Sequence, residues 1–249
     1  MPIIPINFKY ISQAEKYDIV FSPADNEDYN SPISLRELLD AISSSHDSAP
    51  GPDDIHYQFL EHLPNGSQML LLDFFNHNYI TDLFPDSWHN AAIIPIPKPH
   101  KDHSNTTNYR PIALTTCLCN IFEWIINNRL MWYLETNKFL SAGAGQSGFR
   151  KQRNTSSQIR KLFTSFYGSQ TTCCSCLFFD VEKAYDTTWK HGILRDLSNS
   201  NLQGHLPNFF KNFPQNRKFS VRLLHSFFDE YDQEAEVPQS SILSTTFYS

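Results

Sequence analysis

The sequence predicts an α+β fold. Three observations point there: stretches of helical periodicity outnumber strand-like runs, the strands cluster late, and no segment repeats. A chain of 249 residues can bury a full core and is long enough for one large domain or two small ones. Its 40% apolar and 14% aromatic content describes a globular protein rather than a disordered one. No apolar run reaches the roughly 18 residues that span a bilayer, and the N-terminus lacks the basic, apolar, small-residue order of a secretory leader. The expected location is intracellular.

The elements follow in order. Residues 1–30 are rich in Pro, Asn and Asp and form a loose lead-in. In "ISLRELLDAIS", Ser34 and Glu37 make a capping box, Ile33 and Leu38 occupy staple positions, and Leu35, Leu38, Leu39 and Ile42 recur at helical spacing. "SAPGPDDI", residues 48–55, forces a turn at Pro50-Gly51-Pro52, with Asp53 placed to cap a helix through "IHYQFLEHL". "QMLLLDFFNHNYI" is a further apolar helix.

The period then changes. Residues 91–96 are β-rich, and prolines 95, 97 and 99 restrict them to an edge strand or extended segment. A long helix begins near Thr116 with Leu118, Ile121, Phe122, Ile125 and Ile126 inward. A Gly- and Arg-containing loop precedes a helix capped near Asn154 or Thr155, with Ile159, Leu162, Phe163 and Phe166 inward. "LFFDVEKAYDTTW", residues 177–189, reads as a strand running into a helix. "RKFSVRLL" alternates as a hairpin strand and is followed by acidic turn residues.

Charge is unevenly spread. Between Lys98 and Lys161, ten Lys or Arg against three acids leave the stretch at +7 and the remainder at −13, within a net charge of −6. A polyanion partner for the middle alone, or a solvated charged face, accounts for that distribution. The five cysteines match no zinc-ligand spacing and read as free buried thiols. Three Asn-x-Ser/Thr sequons, at Asn65, Asn105 and Asn154, carry little weight without a secretory signal.

Asp180 stands where an apolar strand ends. An ionised carboxylate there is costly unless a cation or hydrogen-bond donors compensate it. Asp180 either caps the helix that starts near Lys183 or holds a divalent metal. Mg²⁺ prefers oxygen ligands and is usually held by one or two carboxylates with substrate phosphates. A second carboxylate is then required from elsewhere.

"FFDVEKAYDTTW" resembles the first palm motif of reverse transcriptases from non-LTR retrotransposons of the LINE and jockey type. Five further blocks resemble the family in its order: "SAPGPDDI" opens the domain, "IIPIPKP" and "NYRPIAL" match finger motifs, "QSGFRKQRNT" follows the long helix, and "VPQSSILS" follows the palm hairpin. Together they cover residues 48–244.

The resemblance implies a right-hand polymerase fold, with fingers over 31–170 and a partial palm over 171–249, truncated C-terminally. It implies RNA-directed DNA polymerisation from dNTPs on an RNA template and DNA primer, with Mg²⁺. Asp180 becomes the catalytic metal ligand, with the Val181 carbonyl as a second oxygen. Tyr185 becomes the aromatic under the incoming sugar that excludes a 2′-hydroxyl. Lys98 and Arg110 become the finger cations on the triphosphate, and Gln239 packs near nucleotide and template. Arg150, Lys151 and Arg153 lie along the RNA. Each has a plainer reading: Lys98 solvated, Arg110 tying a loop down through carbonyls, Tyr185 in the core, Asp186 capping or ion-paired, and Arg150, Lys151 and Arg153 a generic basic face.

The chain also departs from the family. The paired aspartates expected downstream of the "PQGS" block do not occur before Ser249, so the expectation is an incomplete two-metal site and no polymerisation by this chain. Ser240, Asp54 and Gln152 stand where the family has Gly, and Thr245 and Thr246 replace Pro and an apolar residue in a helix expected to be buried. These changes suit a decayed copy. The competing reading is a non-catalytic RNA-binding remnant of the same element, and a third is an unrelated phosphotransfer enzyme using Asp180 with Asp186.

Overall fold

The computed structural model describes residues 18–24, 26–45, 48–140, 154–168, 189–224, 226–233 and 241–247. Helices α1 (Leu35–Ser44), α2 (Tyr57–Glu61) and α3 (Asn65–Ile80) lead into a hairpin of strands β1 (Asn90–Pro97) and β2 (Tyr109–Leu114). Helix α4 (Cys117–Thr136) follows directly. Helices α5 (Thr155–Gly168), α6 (Lys190–Asn199) and α7 (His205–Asn212) precede strands β3 (Lys218–Leu223) and β4 (Ser226–Asp232), and α8 (Ile242–Phe247) comes last. The architecture is α+β, with one four-stranded sheet in the order β2-β1-β3-β4.

The caps expected at Ser34 and Asn154 form, and Thr116 supplies another. Ser34 Oγ accepts from Glu37 N at 3.3 Å while the Glu37 carboxylate accepts from Ser34 N at 2.8 Å, so two orphan donors of α1 are satisfied reciprocally. Thr116 Oγ1 accepts from Cys119 N at 3.2 Å to start α4, and Asn154 Oδ1 accepts from Ser157 N at 2.8 Å to start α5. Asp53 departs from expectation: it accepts from Ile55 N and closes a turn, and α2 begins only at Tyr57.

Burial also shifts from the periodic reading. On α1 the core face is Leu38, Ala41 and Ile42, while Leu35 and Leu39 sit at its exposed margin. Ile159 and Phe163 of α5, expected inward, are 48% and 52% exposed. Leu118 is half-buried, whereas Ile121, Phe122, Ile125 and Ile126 of α4 are buried as expected. Aromatic rings from four segments close the core around Phe122. Phe75 of α3, Trp88 and Phe209 of α7 lie 5.0, 5.4 and 5.4 Å from it, centroid to centroid. Edge-to-face packing of such rings adds to their area burial.

Strand β1 is not an edge strand, contrary to the proline argument. It pairs antiparallel with β2 over residues 92–97 and parallel with β3 over residues 90–93. The prolines evade the rule because pairing to β3 stops at Ile93, before Pro95 is reached. Pro95 also faces Pro111 across the hairpin, so both missing N–H groups fall on one rung. The stretch expected as an acidic turn is instead β4, exposed throughout, antiparallel to β3 with a register irregularity near Ser220 and Arg222. Helices α6 and α7 have no counterpart among the sequence-predicted elements. The sheet joins residues 90–114 to residues 218–232, on either side of residue 170.

Candidate functional site

The two cations expected at the triphosphate lie on one hairpin. Lys98 follows the last residue of β1, and the ladder continues through it, since Lys98 N donates to Asn108 O at 2.8 Å. Ile96 is the register partner of Arg110. Side chains alternate along a strand and opposed residues share a face, so Ile96, Lys98 and Arg110 all project from the same face, with Lys98 and Arg110 on the diagonal.

Their surroundings exchange the plainer roles. Lys98, whose plainer reading was solvation, donates from Nζ to the Thr107 carbonyl at 3.0 Å and is half-buried. The Arg110 side chain, whose plainer reading was to tie down a loop, is exposed and makes no hydrogen bond or ion pair among the described residues. An ammonium carries three donors, so Lys98 retains two beyond the carbonyl bond. Arg110 retains its whole fork.

The loop between them is fixed by its own side chains. Asp102 accepts from Ser104 N at 3.0 Å and from Ser104 Oγ, and these bonds hold its carboxyl below the ordinary value. Asn105 accepts from Thr107 N at 3.0 Å, Asn108 donates to Asp102 O at 2.7 Å, and Tyr109 Oη donates to His103 O at 3.0 Å. Such local bonds order a turn without secondary structure.

The domain-opening block meets the end of this hairpin. A Cβ on Gly51 would come within 2.6 Å of the Thr115 carbonyl carbon and oxygen, so only glycine lets this turn lie against the β2–α4 junction. Asp54 has φ 53°, in the left-handed region that glycine favours and aspartate tolerates. Burial pushes the Cys117 thiol up to about 11, helped by the Asp53 charge nearby. Cys117 and Cys119 are free and buried, as expected.

The last block also reaches α4. Ser241, two residues after Gln239 in the sequence, donates from Oγ to Glu123 Oε2 at 2.6 Å, and Ile242 N donates to the same oxygen at 3.1 Å. Glu123 is fully buried. Burial raises its carboxyl against the opposing charge of Arg217, whose own value burial lowers. Thr246, expected to be out of place in α8, donates to Asn127 Oδ1 at 2.6 Å, so its hydroxyl is satisfied. Sequence reading missed Glu123. Its signal was a lone acid at i+4 from Cys119, on the same helical face as Phe122 and Ile126.

Asp180, Val181, Tyr185, Asp186, Gln239, Arg150, Lys151 and Arg153 lie outside the described residues, as do Ser240, Gln152 and the cysteines at 173, 174 and 176. Among the described residues, no group of three His, Cys, Asp or Glu is placed to hold a metal ion, and no helix is long and apolar enough to cross a membrane. Within the +7 stretch, Arg129 and Glu123 are both withdrawn from the surface, which removes one charge of each sign and leaves the surplus of the stretch unchanged.

Comparison with known proteins bears on the same residues. The chain is 29% identical over 221 residues to the probable RNA-directed DNA polymerase from transposon BS of Drosophila melanogaster, covering 88% of this chain and 24% of that protein. It is 30% identical over 221 residues to the RNA-directed DNA polymerase from mobile element jockey of Drosophila funebris, with the same shares. It is 27% identical over 241 residues to the probable RNA-directed DNA polymerase from transposon X-element of Drosophila melanogaster, covering 96% of this chain and 25% of that protein. The chain thus spans about a quarter of the length of these relatives. Residues 96–248 match the family described as reverse transcriptase (RNA-dependent DNA polymerase), a span that includes Lys98, Arg110, Asp180 and Gln239. The chain belongs to the reverse transcriptase family.

Proposed function

We propose that this chain is the fingers and partial palm of an RNA-directed DNA polymerase from a non-LTR, jockey-type retrotransposon, and that it forms part of the site for an incoming dNTP opposite an RNA template. What supports this reading is the shared face of Lys98 and Arg110: a half-anchored point charge and an unpartnered guanidinium fork on one rigid hairpin suit a triphosphate. In this reading the fingers (31–170) share their sheet with strands β3 and β4.

The remaining roles follow from the motif positions. Asp180 and the Val181 carbonyl are oxygen donors of the kind Mg²⁺ prefers, and they would hold it. Mg²⁺ bound there supplies Lewis-acid stabilisation of phosphoryl oxygens. Tyr185 lies under the sugar, Gln239 contacts nucleotide and template, and Arg150, Lys151 and Arg153 follow the RNA backbone. In this reading Asp180 is one carboxylate of a catalytic set for nucleotidyl transfer to a primer 3′-OH, and a second carboxylate completes it.

Two of the sequence departures that suited a decayed remnant are accommodated: Asp54 adopts a φ that aspartate tolerates, and the Thr246 hydroxyl has a partner. Equilibrium dialysis with Mg·dATP tests the proposal. Arg110→Ala is expected to weaken binding about tenfold, the loss of one charge-assisted contact, with Arg36→Ala unchanged. Equal affinities for the two variants would overturn the assignment.

A further inference from the structure

Helix α3 is apolar on two faces. On the inner one Leu72, Phe75 and Tyr79 are buried, and Asn76 clamps the helix to the entry of α1, its Oδ1 accepting from Ile33 N at 2.5 Å and its Nδ2 donating to Ile33 O at 3.0 Å. On the outer one Met69, Leu70, Asp73, Phe74, His77 and Ile80 recur at three- and four-residue spacing and are all exposed, Leu70 at 71%. A helix with apolar residues all round belongs in contact on both sides. Nothing among the described residues covers the outer face.

That face is complementary to itself when turned end for end. With the level of Phe75 as its centre, Asp73 and His77 lie two residues to either side, and Leu70 and Ile80 five. At a rise of about 1.5 Å per residue, these positions stand about 3 Å and about 7.5 Å from the centre. Two α3 helices laid antiparallel about that level bring Asp73 beside His77 of the other copy, twice, and Leu70 beside Ile80, twice. A parallel pair would instead oppose acid to acid. Neither the Asp73 nor the His77 side chain makes a hydrogen bond or ion pair among the described residues, and an imidazole N–H can donate to a carboxylate in either charge state. Phe74 falls beside the axis, its ring braced edge to face 5.9 Å from the buried Trp88. A held aromatic near the centre of a patch is the kind of anchor that carries most of an interface's energy, and the Asn76 clamp fixes its backbone before docking.

We propose that the outer face of α3 is a docking surface for a second copy of this chain, joined antiparallel about a two-fold axis at the level of Phe75. Charge selects this occupant: the face offers an acid and a histidine at equal distances from its centre, and an identical face returns them in reverse order. One helix face makes a small interface, so the dimer is reversible and forms with rising concentration. The proposal does not depend on the nucleotide reading of Lys98 and Arg110.

Sedimentation velocity of the 249-residue chain over a concentration series, extended to about 1 mM because a small interface binds weakly, reads the monomer–dimer equilibrium. Leu70→Glu is expected to abolish the dimer. Leu224→Glu, at a 90% exposed apolar residue between β3 and β4, is expected to leave it unchanged. Asp73→Lys sets a cation against His77 of the other copy, and His77→Glu sets an acid against Asp73. Each is expected to weaken dimerisation about tenfold, since the axis repeats every contact. The two combined restore opposite charges across the axis and are expected to recover the dimer. All four positions are exposed, so thermal melts of the variants at low concentration are expected to match that of the unaltered chain. A chain that stays monomeric throughout leaves this face to another occupant and overturns the proposal. A dimer that survives Leu70→Glu, or that the double charge swap fails to recover, overturns it as well.

Discussion

Arg129 on α4 grips Glu37 on α1 with two donors, Nε to Oε1 at 2.8 Å and Nη2 to Oε2 at 3.0 Å. The same guanidinium donates to the carbonyls of Tyr29, Ser31 and Pro32 and lies 5.2 Å over the Tyr79 ring. Glu37 thus serves twice, as the acid of the α1 capping box and as the counterion of a cation that sequence counting had placed on a basic surface. The segment entering α1 is pinned to the long helix by one side chain.

Replacing Arg129 with Ala is expected to cost about 3 kcal/mol, because it takes the counterion from Glu37 and the guanidinium donors from the Ser31 and Pro32 carbonyls. Urea denaturation measures it, and Arg36→Ala, on the exposed side of α1, is expected to fall within about 0.5 kcal/mol of the unaltered chain.

The pair also sets a pH response. Burial alone would raise the Glu37 carboxyl, but the bonds from Arg129 and Ser34 outweigh it and hold it below the ordinary value. A depressed carboxyl contributes stability that is present above the unfolded pKa of about 4.3 and is lost as pH falls through the folded value. The urea midpoint of the unaltered chain should therefore drop more steeply below pH of about 4.3 than that of Glu37→Gln.

Two glycines are expected to respond in opposite directions. Gly51→Ala drives a Cβ to within 2.6 Å of the Thr115 backbone, which cannot yield as a flexible side chain would, and should cost about 1–3 kcal/mol. Gly66, in the first turn of α3, has open space around it, and Gly66→Ala should stabilise by about 0.5–1 kcal/mol. Thermal melts of the two variants decide the contrast.

The RNA assignment predicts a salt signature. Single-stranded RNA binding by this chain should weaken linearly in log–log form with salt, and each of Arg150→Ala, Lys151→Ala and Arg153→Ala should reduce the slope by about 0.7 if it loses one phosphate contact. A flat titration of the unaltered chain would remove the RNA track.

What the sequence made legible was local. The Ser34–Glu37 box, the start of α4 near Thr116, and Ile121, Phe122, Ile125 and Ile126 on its buried face depend on residues within about one turn of each other, and each forms as read. The place of β1 did not follow from local rules, because its second partner, β3, arrives more than a hundred residues later and pairs only ahead of the prolines. Ile159 and Phe163 had helical spacing yet face outward, since periodicity identifies an apolar face without supplying something to cover it. At the site, motif order located Lys98 and Arg110 and drew the resemblance to jockey-type enzymes that the relatives bear out. It did not reveal that the Thr107 carbonyl holds Lys98, which depends on how the hairpin loop closes, or that Glu123 ties Ser241, which depends on how segments 118 residues apart meet.

The most direct measurement of the central claim, that the β1–β2 hairpin holds the nucleotide triphosphate, is protection of Lys98 from pyridoxal phosphate and borohydride, mapped by peptide mass spectrometry. Lys138, exposed just beyond the end of α4, is the control within the same molecule. The account predicts that Mg·dATP slows labelling of Lys98 and leaves Lys138 unaffected, and that Arg110→Ala abolishes the protection. Equal labelling of Lys98 with and without nucleotide, at concentrations that saturate binding, would contradict it.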